Sequence, residues 1–325
     1  MKTLQTSFAG LLLDNPIIIS SCGQTGKAEN NERFAQAGAG AIVLKSLFEE
    51  QITRETEHIS QANSHSEEAD YMEAYLRAGI LNEYIDLIKE SKRRCNIPII
   101  ASINCNRLGE WTSFTQSIEK AGADALELNV MSISTAIDYR YGEFEQRHID
   151  ILKTVREATH LPIIIKLGSN LSNPVQLIDQ LYAYGAAGVV LFNRFYHPDI
   201  DTERMEYTSG HVFSTAADLS NSLRWTGIAS ASVKNIDYAI SGGIQNGNDI
   251  IKSLLTGASA VEVCSVLYKH GEEWIDCSLQ EIKTWMERHG YDSIASFRGK
   301  LNALDAVHAD KLERTQFLKY FGLHQ

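Results

Sequence analysis

Polar and glycine residues stand at the ends of eight short apolar runs in this sequence, where they could meet at one site. In chain order the runs end at Ser20, Lys45, Asn104, Asn129, Lys166, Asn193, Ser241 and the pair Cys264-Ser265. If the runs are parallel strands of one barrel, all of these residues lie at its carboxyl end, where barrel enzymes build their active sites. The pattern therefore predicts a polar site made from strand ends.

Two of these residues are lysines, Lys45 and Lys166, and each ends a β-branched run that is expected to be buried. A buried lysine needs a negative partner to offset the cost of desolvation, and no carboxylate partner is evident in the sequence. A bound group could supply the charge. An electron-accepting ring that becomes anionic on reduction fits two such lysines, and so does a phosphosugar.

The last two strand ends predict a phosphate site. Ser241-Gly242-Gly243-Ile244 and Cys264-Ser265 follow the seventh and eighth runs, which is where barrels commonly bind phosphate through backbone N–H groups. Glycines at this place allow an oxyanion to approach the backbone closely.

A repeat along the chain predicts the elements that position these residues. A helix-like polar segment ends in a cluster of small residues, and a short β-branched run follows it. The four plainest clusters are Ala37-Gly38-Ala39, Ala121-Gly122-Ala123, Gly185-Ala186-Ala187 and Gly257-Ala258. Small residues let a helix end turn tightly into a strand. Three further strands follow Pro16, Pro98 and Pro162, and an eighth is Asp237-Tyr238-Ala239-Ile240.

Eight alternating strands and helices predict a (β/α)8 barrel of the α/β class, with right-handed crossovers and a parallel sheet. The surplus over the usual barrel length is expected in three insertions, at residues 47–74, 130–146 and 194–235. A doubly wound sheet is the competing architecture. It is less favoured because the first strand is followed by Ser20-Ser21-Cys22-Gly23 and not by a glycine-rich dinucleotide turn.

Composition excludes some classes of function. The formal net charge of -11 argues against a nucleic-acid partner, because such proteins concentrate Lys and Arg. The five cysteines are scattered without zinc-ligand spacing, which favours reduced thiols in the cytoplasm and predicts no metal site. The apolar run at residues 10–13 is too short for a signal peptide or a spanning helix, so no membrane attachment is expected.

The chain resembles the dihydroorotate dehydrogenase family, particularly its soluble first class, over nearly its whole length. The resemblance is carried by Asn15-Pro16, Lys45-Ser46, Glu127-Leu128-Asn129, Ile165-Lys166-Leu167, Asn193, Ser241-Gly242-Gly243-Ile244 and the segment at residues 290–301. It implies one FMN-binding barrel domain over residues 1–325, located in the cytoplasm and forming a homodimer. It also implies oxidation of dihydroorotate to orotate in pyrimidine biosynthesis, with hydride passing to the flavin.

The resemblance also implies roles for individual residues. Lys45 would lie beside flavin and substrate and Asn193 would face the substrate. The implied flavin contacts are Ser20, Ser21, Lys45, Ser46, Asn104, Asn129 and Lys166, and the implied phosphate contacts are Ser241, Gly242, Gly243, Cys264 and Ser265.

The chain departs from the family where substrate is bound. After the fourth strand the family reads Asn, any residue, Ser, Cys, Pro, Asn, and its soluble class uses the Cys as base. Here the stretch reads Asn129-Val130-Met131-Ser132-Ile133-Ser134, which places Ser132 at the base position and Ser134 at a substrate asparagine. Of the family's asparagine-containing loop after the second strand, Asn63 alone has a match. A serine base needs a proton relay or a dry pocket, since a hydroxyl has a far higher pKa than a thiol.

Three other readings stay open beside a dihydroorotate dehydrogenase. The same flavin could serve a different cyclic amide or unsaturated substrate, the barrel could bind flavin without turnover, or it could be a flavin-free phosphosugar enzyme. Fumarate, quinone and a partner flavoprotein all stay open as the electron acceptor.

Overall fold

The computed structural model describes residues 3–48, 66–104, 111–133 and 135–314, and of residues 66–77 and 111–113 the backbone alone. In chain order the strands are β1 (Thr6–Phe8), β2 (Leu11–Leu13), β3 (Ile17–Ile19), β4 (Ala41–Val43), β5 (Leu47–Phe48), β6 (Ile99–Asn104), β7 (Ala125–Val130), β8 (Ile163–Gly168), β9 (Gly188–Asn193), β10 (Asp199–Asp201), β11 (Glu206–Thr208), β12 (Asp237–Ser241) and β13 (Ala260–Val263).

Eight of these strands close into a parallel barrel in the order β3, β4, β6, β7, β8, β9, β12, β13 and back to β3. They are the eight strands predicted from the sequence, so the (β/α)8 barrel is confirmed. The short strand β5 adds to the carboxyl end of β6.

Helices connect the barrel strands on the outside. They are α1 (Ala28–Gln36), α2 (Ser66–Arg94), α3 (Trp111–Lys120), α4 (Glu143–Ala158), α5 (Pro174–Ala183), α6 (Leu219–Ser232), α7 (Gly247–Leu255), α8 (Ser265–His270), α9 (Glu273–His289) and α10 (Ala306–Glu313). Three 3-10 turns lie at Gln24–Gly26, Ala216–Asp218 and Ile294–Ser296.

The small-residue clusters of the repeat end helices α1, α3, α5 and α7. Each cluster provides one glycine with a positive φ: Gly38, Gly122, Gly185 and Gly257, at 95°, 93°, 94° and 117°. Glycine adopts this conformation without the steric cost that a side chain would add, so the helix can stop and the chain can turn into the next strand.

The insertions differ from the expected boundaries. In the first, residues 66–74 begin helix α2, and residues 49–65 lie outside the described part. The second is shorter than predicted, because β7 ends at Val130 and α4 begins at Glu143. The third holds the β10–β11 hairpin, but residues 219–232 are the barrel helix α6 and do not belong to an insertion.

A hairpin that the sequence analysis did not predict closes the amino end of the barrel. Strands β1 and β2 place Phe8 and Leu13 in one apolar cluster with inward residues of all eight barrel strands, among them Ile18, Ile100 and Val190. The Ala9 N–H donates to Asp237 Oδ2 at 2.9 Å, which fixes the hairpin to the start of β12. This apolar layer fills the amino end of the barrel interior.

Above that layer the barrel interior is polar. Side chains of a strand alternate between its two faces, so the residues two positions after the inward apolar ones also point inward. By this alternation Ile18 is followed by Ser20, Ile100 by Ser102, Ala125 by Glu127, Ile164 by Lys166 and Ala260 by Glu262. These five polar side chains are buried and form the floor of the site.

Candidate active site

A cleft of about 270 Å³ opens at the carboxyl end of the barrel. Its walls come from the ends of β3, β8, β9, β12 and β13, and the chain at Val212 and Ser214 lies along one side. Arg194 holds this segment, because its guanidinium donates to the carbonyls of His211 at 2.6 Å and Val212 at 2.8 Å. The expected convergence of strand ends therefore produces a cleft that could hold a small molecule.

The glycine turn after β12 lines the cleft. Gly242 and Gly243 have φ values of 87° and 80°, which an L-residue adopts only with strain. A Cβ on Gly243 would lie 2.3 Å from the Leu219 backbone nitrogen, whereas a Cβ on Gly242 would meet no atom within 4 Å. Gly243 is thus required by packing, while Gly242 leaves space at the cleft wall.

The residues after β13 form the neighbouring wall. Ser265 Oγ accepts a hydrogen bond from the Ser214 N–H at 2.9 Å, and Ser214 Oγ donates to it at 3.1 Å. Cys264 also lines the cleft and is hydrogen-bonded with Cys22, which follows β3. This hydrogen bond lowers the pKa of the Cys22 thiol to about 6, and it raises the pKa of Cys264 together with burial. Cys22 is therefore the thiolate of the pair at neutral pH.

Lys166 is buried at the cleft floor, and its partners are carboxylates of the chain itself. Its Nζ lies 2.6 Å from Glu262 Oε2 and 3.8 Å from Glu127 Oε1, and it donates to Ser20 Oγ at 2.9 Å. Ser20 Oγ in turn donates to Glu262 Oε2 at 3.0 Å. The expectation that Lys166 lacks a carboxylate partner is wrong, because two strands distant in sequence bring one each.

Burial and charge set the protonation of these three groups. Burial alone would lower the pKa of Lys166, but Glu127 and Glu262 outweigh it and raise that pKa. Burial and the neighbouring charge of Glu262 raise the pKa of Glu127 well above 4.5. Burial also acts to raise the pKa of Glu262, but Lys166 outweighs it and lowers that pKa. Protonation is therefore favoured at Glu127, and the ionised form is favoured at Glu262.

A chain of serine hydroxyls leads from Glu127 to the cleft. Ser102 Oγ donates to Glu127 Oε1 at 3.4 Å, and lies 2.8 Å from Ser46 Oγ. Ser46 Oγ lies 2.9 Å from Ser21 Oγ, and Ser21 lines the cleft. Tyr84 fixes the middle of this chain, since its hydroxyl accepts from the Ser102 N–H at 2.7 Å and donates to the Ser102 carbonyl at 3.1 Å.

An asparagine of β7 and an asparagine of β9 are hydrogen-bonded to each other. Asn193 Nδ2 donates to Asn129 Oδ1 at 2.7 Å, and Asn193 lines the cleft. Asn104, at the end of β6, keeps a buried Oδ1 that has no hydrogen-bond partner among the described residues. An atom of this kind is available to accept a hydrogen bond from a bound molecule.

Ser132 lies in the loop after β7, as predicted, but does not itself line the cleft. Its hydroxyl accepts a hydrogen bond from Arg147 Nη1 at 3.3 Å, and its carbonyl accepts one from Asn170 Nδ2 at 3.3 Å. His148 contacts the Val130 carbonyl at 3.1 Å through Nε2 and so anchors the start of the loop. The loop is therefore tied to helix α4 and to the chain after β8.

Lys45 differs from the sequence expectation. Its strand is buried, but the lysine itself is exposed, and its aliphatic stem lies along Gly26, where an added Cβ would be 3.1 Å from Lys45 Cδ. It therefore needs no buried counter-charge. The two remaining predicted substrate residues, Asn63 and Ser134, lie outside the described residues.

The sequence analysis missed Glu127 and Glu262 as members of the site. Both are less than 3% exposed and sit in apolar strand runs, at positions where a charge is costly without a partner. The signal was available in the alternation of each strand, since Glu127 is two residues before Asn129 and Glu262 is two residues before Cys264.

Within the described residues, no group of three or more His, Cys, Asp or Glu side chains is arranged to hold a metal ion. Across the same ranges, no helix is both long and apolar enough to cross a membrane.

Comparison with known proteins shows the family of the chain. Residues 3–286 match the family model described as dihydroorotate dehydrogenase. The chain belongs to the dihydroorotate dehydrogenase family. The resemblance stated from the sequence motifs is thereby confirmed.

Curated relatives in this family match the chain nearly end to end. One is the dihydroorotate dehydrogenase B (NAD(+)) catalytic subunit of Thermoplasma volcanium, which is 25% identical over 92% of this chain and 98% of its own length. Proteins of the same name from Methanocaldococcus jannaschii and Bacillus cereus are 25% and 26% identical. They cover 87% and 92% of this chain, and 94% and 97% of their own lengths.

Proposed function

We propose that this protein is an FMN-dependent oxidoreductase that oxidises the CH–CH bond of dihydroorotate to give orotate, a step of pyrimidine biosynthesis. The observation that carries the proposal is the cleft at the barrel's carboxyl end, where Gly242 and Gly243 stand at one wall and Lys166 at the floor. Membership of the dihydroorotate dehydrogenase family supports the same activity.

The residues of the cleft support a bound flavin mononucleotide. Gly242 leaves open space where a side chain would stand, and the turn at residues 241–243 together with Cys264-Ser265 would hold the phosphate through backbone and hydroxyl donors. The side chains of Ser20, Ser21 and Lys166 line the cleft and would provide polar contacts for the ring, with Ser46 behind Ser21 and Asn104 Oδ1 as a further acceptor. FMN, when bound, supplies an acceptor for the hydride that leaves the substrate.

The chain's own residues would bind the substrate and move its proton. Asn193 and Asn129 already hold each other at 2.7 Å and would orient the substrate ring, with Lys45 as an exposed cation for its carboxylate. Ser132 would accept the proton. Its hydrogen bond from Arg147 stabilises a hydroxyl that loses its proton, because the guanidinium is positively charged.

A partner subunit is part of the proposal. The relatives from Thermoplasma, Methanocaldococcus and Bacillus are each named as the catalytic subunit of an NAD(+)-linked enzyme. We infer that this chain likewise passes electrons to a partner and from there to NAD(+). The homodimer and the cytoplasmic location expected from the sequence stay predictions.

The test is anaerobic mixing of the purified yellow protein with dihydroorotate while the flavin absorbance is followed. We expect the absorbance to bleach, and orotate, the product, serves as the control that leaves it unchanged. A protein that bleaches with dithionite but not with dihydroorotate would have a different substrate or no turnover. A colourless protein, or an extracted nucleotide other than FMN, would refute the cofactor as well.

A further inference from the structure

The cleft floor holds an unequal set of buried charges. Glu127 and Glu262 are 1% and 2% exposed, Lys166 is 5% exposed, and both carboxyl groups lie within 4 Å of the single ammonium group. If all three groups were charged, one negative charge would be buried without a partner. The free-energy cost of such an unpaired charge is large enough that a carboxyl group takes up a proton instead.

Two carboxyl oxygens without a donor indicate where that proton is taken up. Glu127 Oε2 and Glu262 Oε1 are buried and find no donor among the described residues. Both carboxyl groups lie within 4 Å of Lys166 Nζ, and the charge of Glu262 raises the pKa of Glu127. One proton between the two side chains therefore provides the missing donor and also removes the surplus negative charge.

We propose that Glu127 and Glu262 act as one proton-sharing unit that carries a single negative charge opposite Lys166 and so keeps the cleft floor neutral. Either glutamate alone can supply this counter-charge, while the loss of both leaves Lys166 as a free cation. They are positioning residues, since they act on a bound molecule through Lys166. The consequence for FMN rests on the proposed function, whereas the shared proton does not.

Two other titratable groups among the described residues act on this unit. Cys264 is close enough to influence the charge of Lys166, and burial, together with the charge of Glu127, raises the pKa of Tyr84. Ser20 and Ser102 contribute hydroxyl groups to Glu262 and Glu127. The described surroundings thus place one cation beside the carboxyl pair, and the pair balances it with one negative charge.

Infrared spectroscopy of the purified protein tests the shared proton without any cofactor. At pH 8 exposed carboxyl groups are ionised, so a carbonyl band of a protonated carboxyl group that shifts in D₂O reports a buried one. We expect this band in the parent protein and expect it to vanish in both Glu127→Gln and Glu262→Gln, because a single carboxylate ionises against Lys166. The controls Ser102→Ala and Glu206→Gln keep both carboxyl groups and should keep the band. A parent without the band, or one variant that retains it, overturns the proposal.

The midpoint potential of bound FMN tests how the proton-sharing unit of Glu127 and Glu262 affects the reduction of the flavin. Each single variant keeps one carboxylate beside Lys166, so we expect it to change the preference for reduced over oxidised FMN by less than threefold. The double variant frees the cation and should raise that preference at least tenfold, a rise of about 30 mV for a two-electron couple. Additive effects of the two substitutions would contradict a shared unit. A protein that binds no FMN would refute the proposed function. The infrared result would then test by itself whether Glu127 and Glu262 share a proton.

Discussion

Lys166 Nζ and Glu262 Oε2 lie 2.6 Å apart although their strands, β8 and β13, are not neighbours in the barrel. Strands β9 and β12 separate them along the wall, so the ion pair crosses the barrel interior. Ser20, directly after β3, is hydrogen-bonded to both partners. The two sides of the cleft floor are thus held together by one buried ion pair, and the stability of the barrel depends on its charge balance.

Replacing Lys166 with Met should destabilise the fold by about 3–5 kcal/mol, because it leaves the buried carboxyl groups without a cation. The loss should be larger at pH 8 than at pH 5, since without the cation both carboxyl groups are more stable protonated. Urea unfolding at the two pH values measures it. Lys252→Met is the control, because its ion pair with Asp249 involves a lysine side chain that is 48% exposed. Equal losses in the two variants would show that the buried pair contributes no more than a surface pair.

The shared proton predicts how stability depends on pH. Because the folded-state pKa of Glu127 is raised, its contribution to stability is complete below the ordinary value of 4.5 and is lost as the pH rises toward the folded value. Between pH 4.5 and the folded value, the folded protein binds more protons at this side chain than the unfolded chain does. The parent should therefore lose stability relative to Glu127→Gln as the pH rises above 4.5, by at most about 1.4 kcal/mol per pH unit. Denaturant unfolding at several pH values measures this difference, and parallel curves for the two proteins would exclude a shared proton.

The barrel itself could be predicted from the sequence because each of its strands carries a local signal. The clusters around Gly38, Gly122, Gly185 and Gly257 mark helix ends, and the prolines before β3, β6 and β8 mark strand starts. The β1–β2 hairpin has no such signal. Its apolar residues are buried only because the closed barrel presents an apolar layer at its amino end.

The site could be predicted only as far as strand ends converge. Its glycine turn and its polar residues were expected there, but the partners of Lys166 depend on contacts between strands that are far apart in the sequence. Lys45 shows a second limit of prediction from the sequence, because its burial was expected and is not found. Its run predicts burial, yet the Lys45 side chain is exposed although Leu44 and Ser46 on either side of it are buried.

Gly242→Ala should weaken FMN binding at least tenfold, because the methyl group would occupy the open space at the cleft wall. It should also cost about 1–2 kcal/mol of stability, since φ at this position is 87°. Gly10→Ala is the matched control: its φ is 79°, and an added Cβ meets no atom within 4 Å. Both variants should lose similar stability in thermal unfolding, while FMN titration should separate them. Equal FMN affinity in the two variants would show that the glycine turn is not part of the cofactor site.

Cys22 should be alkylated by iodoacetamide with a rate that rises through a midpoint near pH 6, because its thiolate is stabilised by Cys264. In Cys264→Ala the hydrogen bond is lost, and the midpoint should move toward the ordinary thiol value of about 8.5. Mass spectrometry of the labelled peptides measures the rate, with the exposed Cys277 as an internal comparison. An unchanged midpoint in Cys264→Ala would mean that another group lowers the pKa of Cys22.

Ser132→Ala should slow flavin reduction by dihydroorotate by about 10²–10⁴-fold while FMN stays bound, because a general base typically contributes this much. Arg147→Met should have a smaller effect in the same direction, since it removes the 3.3 Å hydrogen bond that supports a deprotonated Ser132. Arg140→Met changes an exposed arginine of the same loop and should leave the rate unchanged. Stopped-flow absorbance under anaerobic conditions measures all three.

Ser132→Cys distinguishes a base from a residue that only shapes the loop. A thiol has a lower pKa than a hydroxyl, so this variant should reduce its flavin faster than Ser132→Ala and show a lower pH optimum than the parent. Reduction of Ser132→Ala at the parent rate would place the base elsewhere. If neither parent nor variant is reduced although both bind FMN, the changes at Ser132 and Ser134 have altered the substrate, and a related cyclic amide becomes the compound to test.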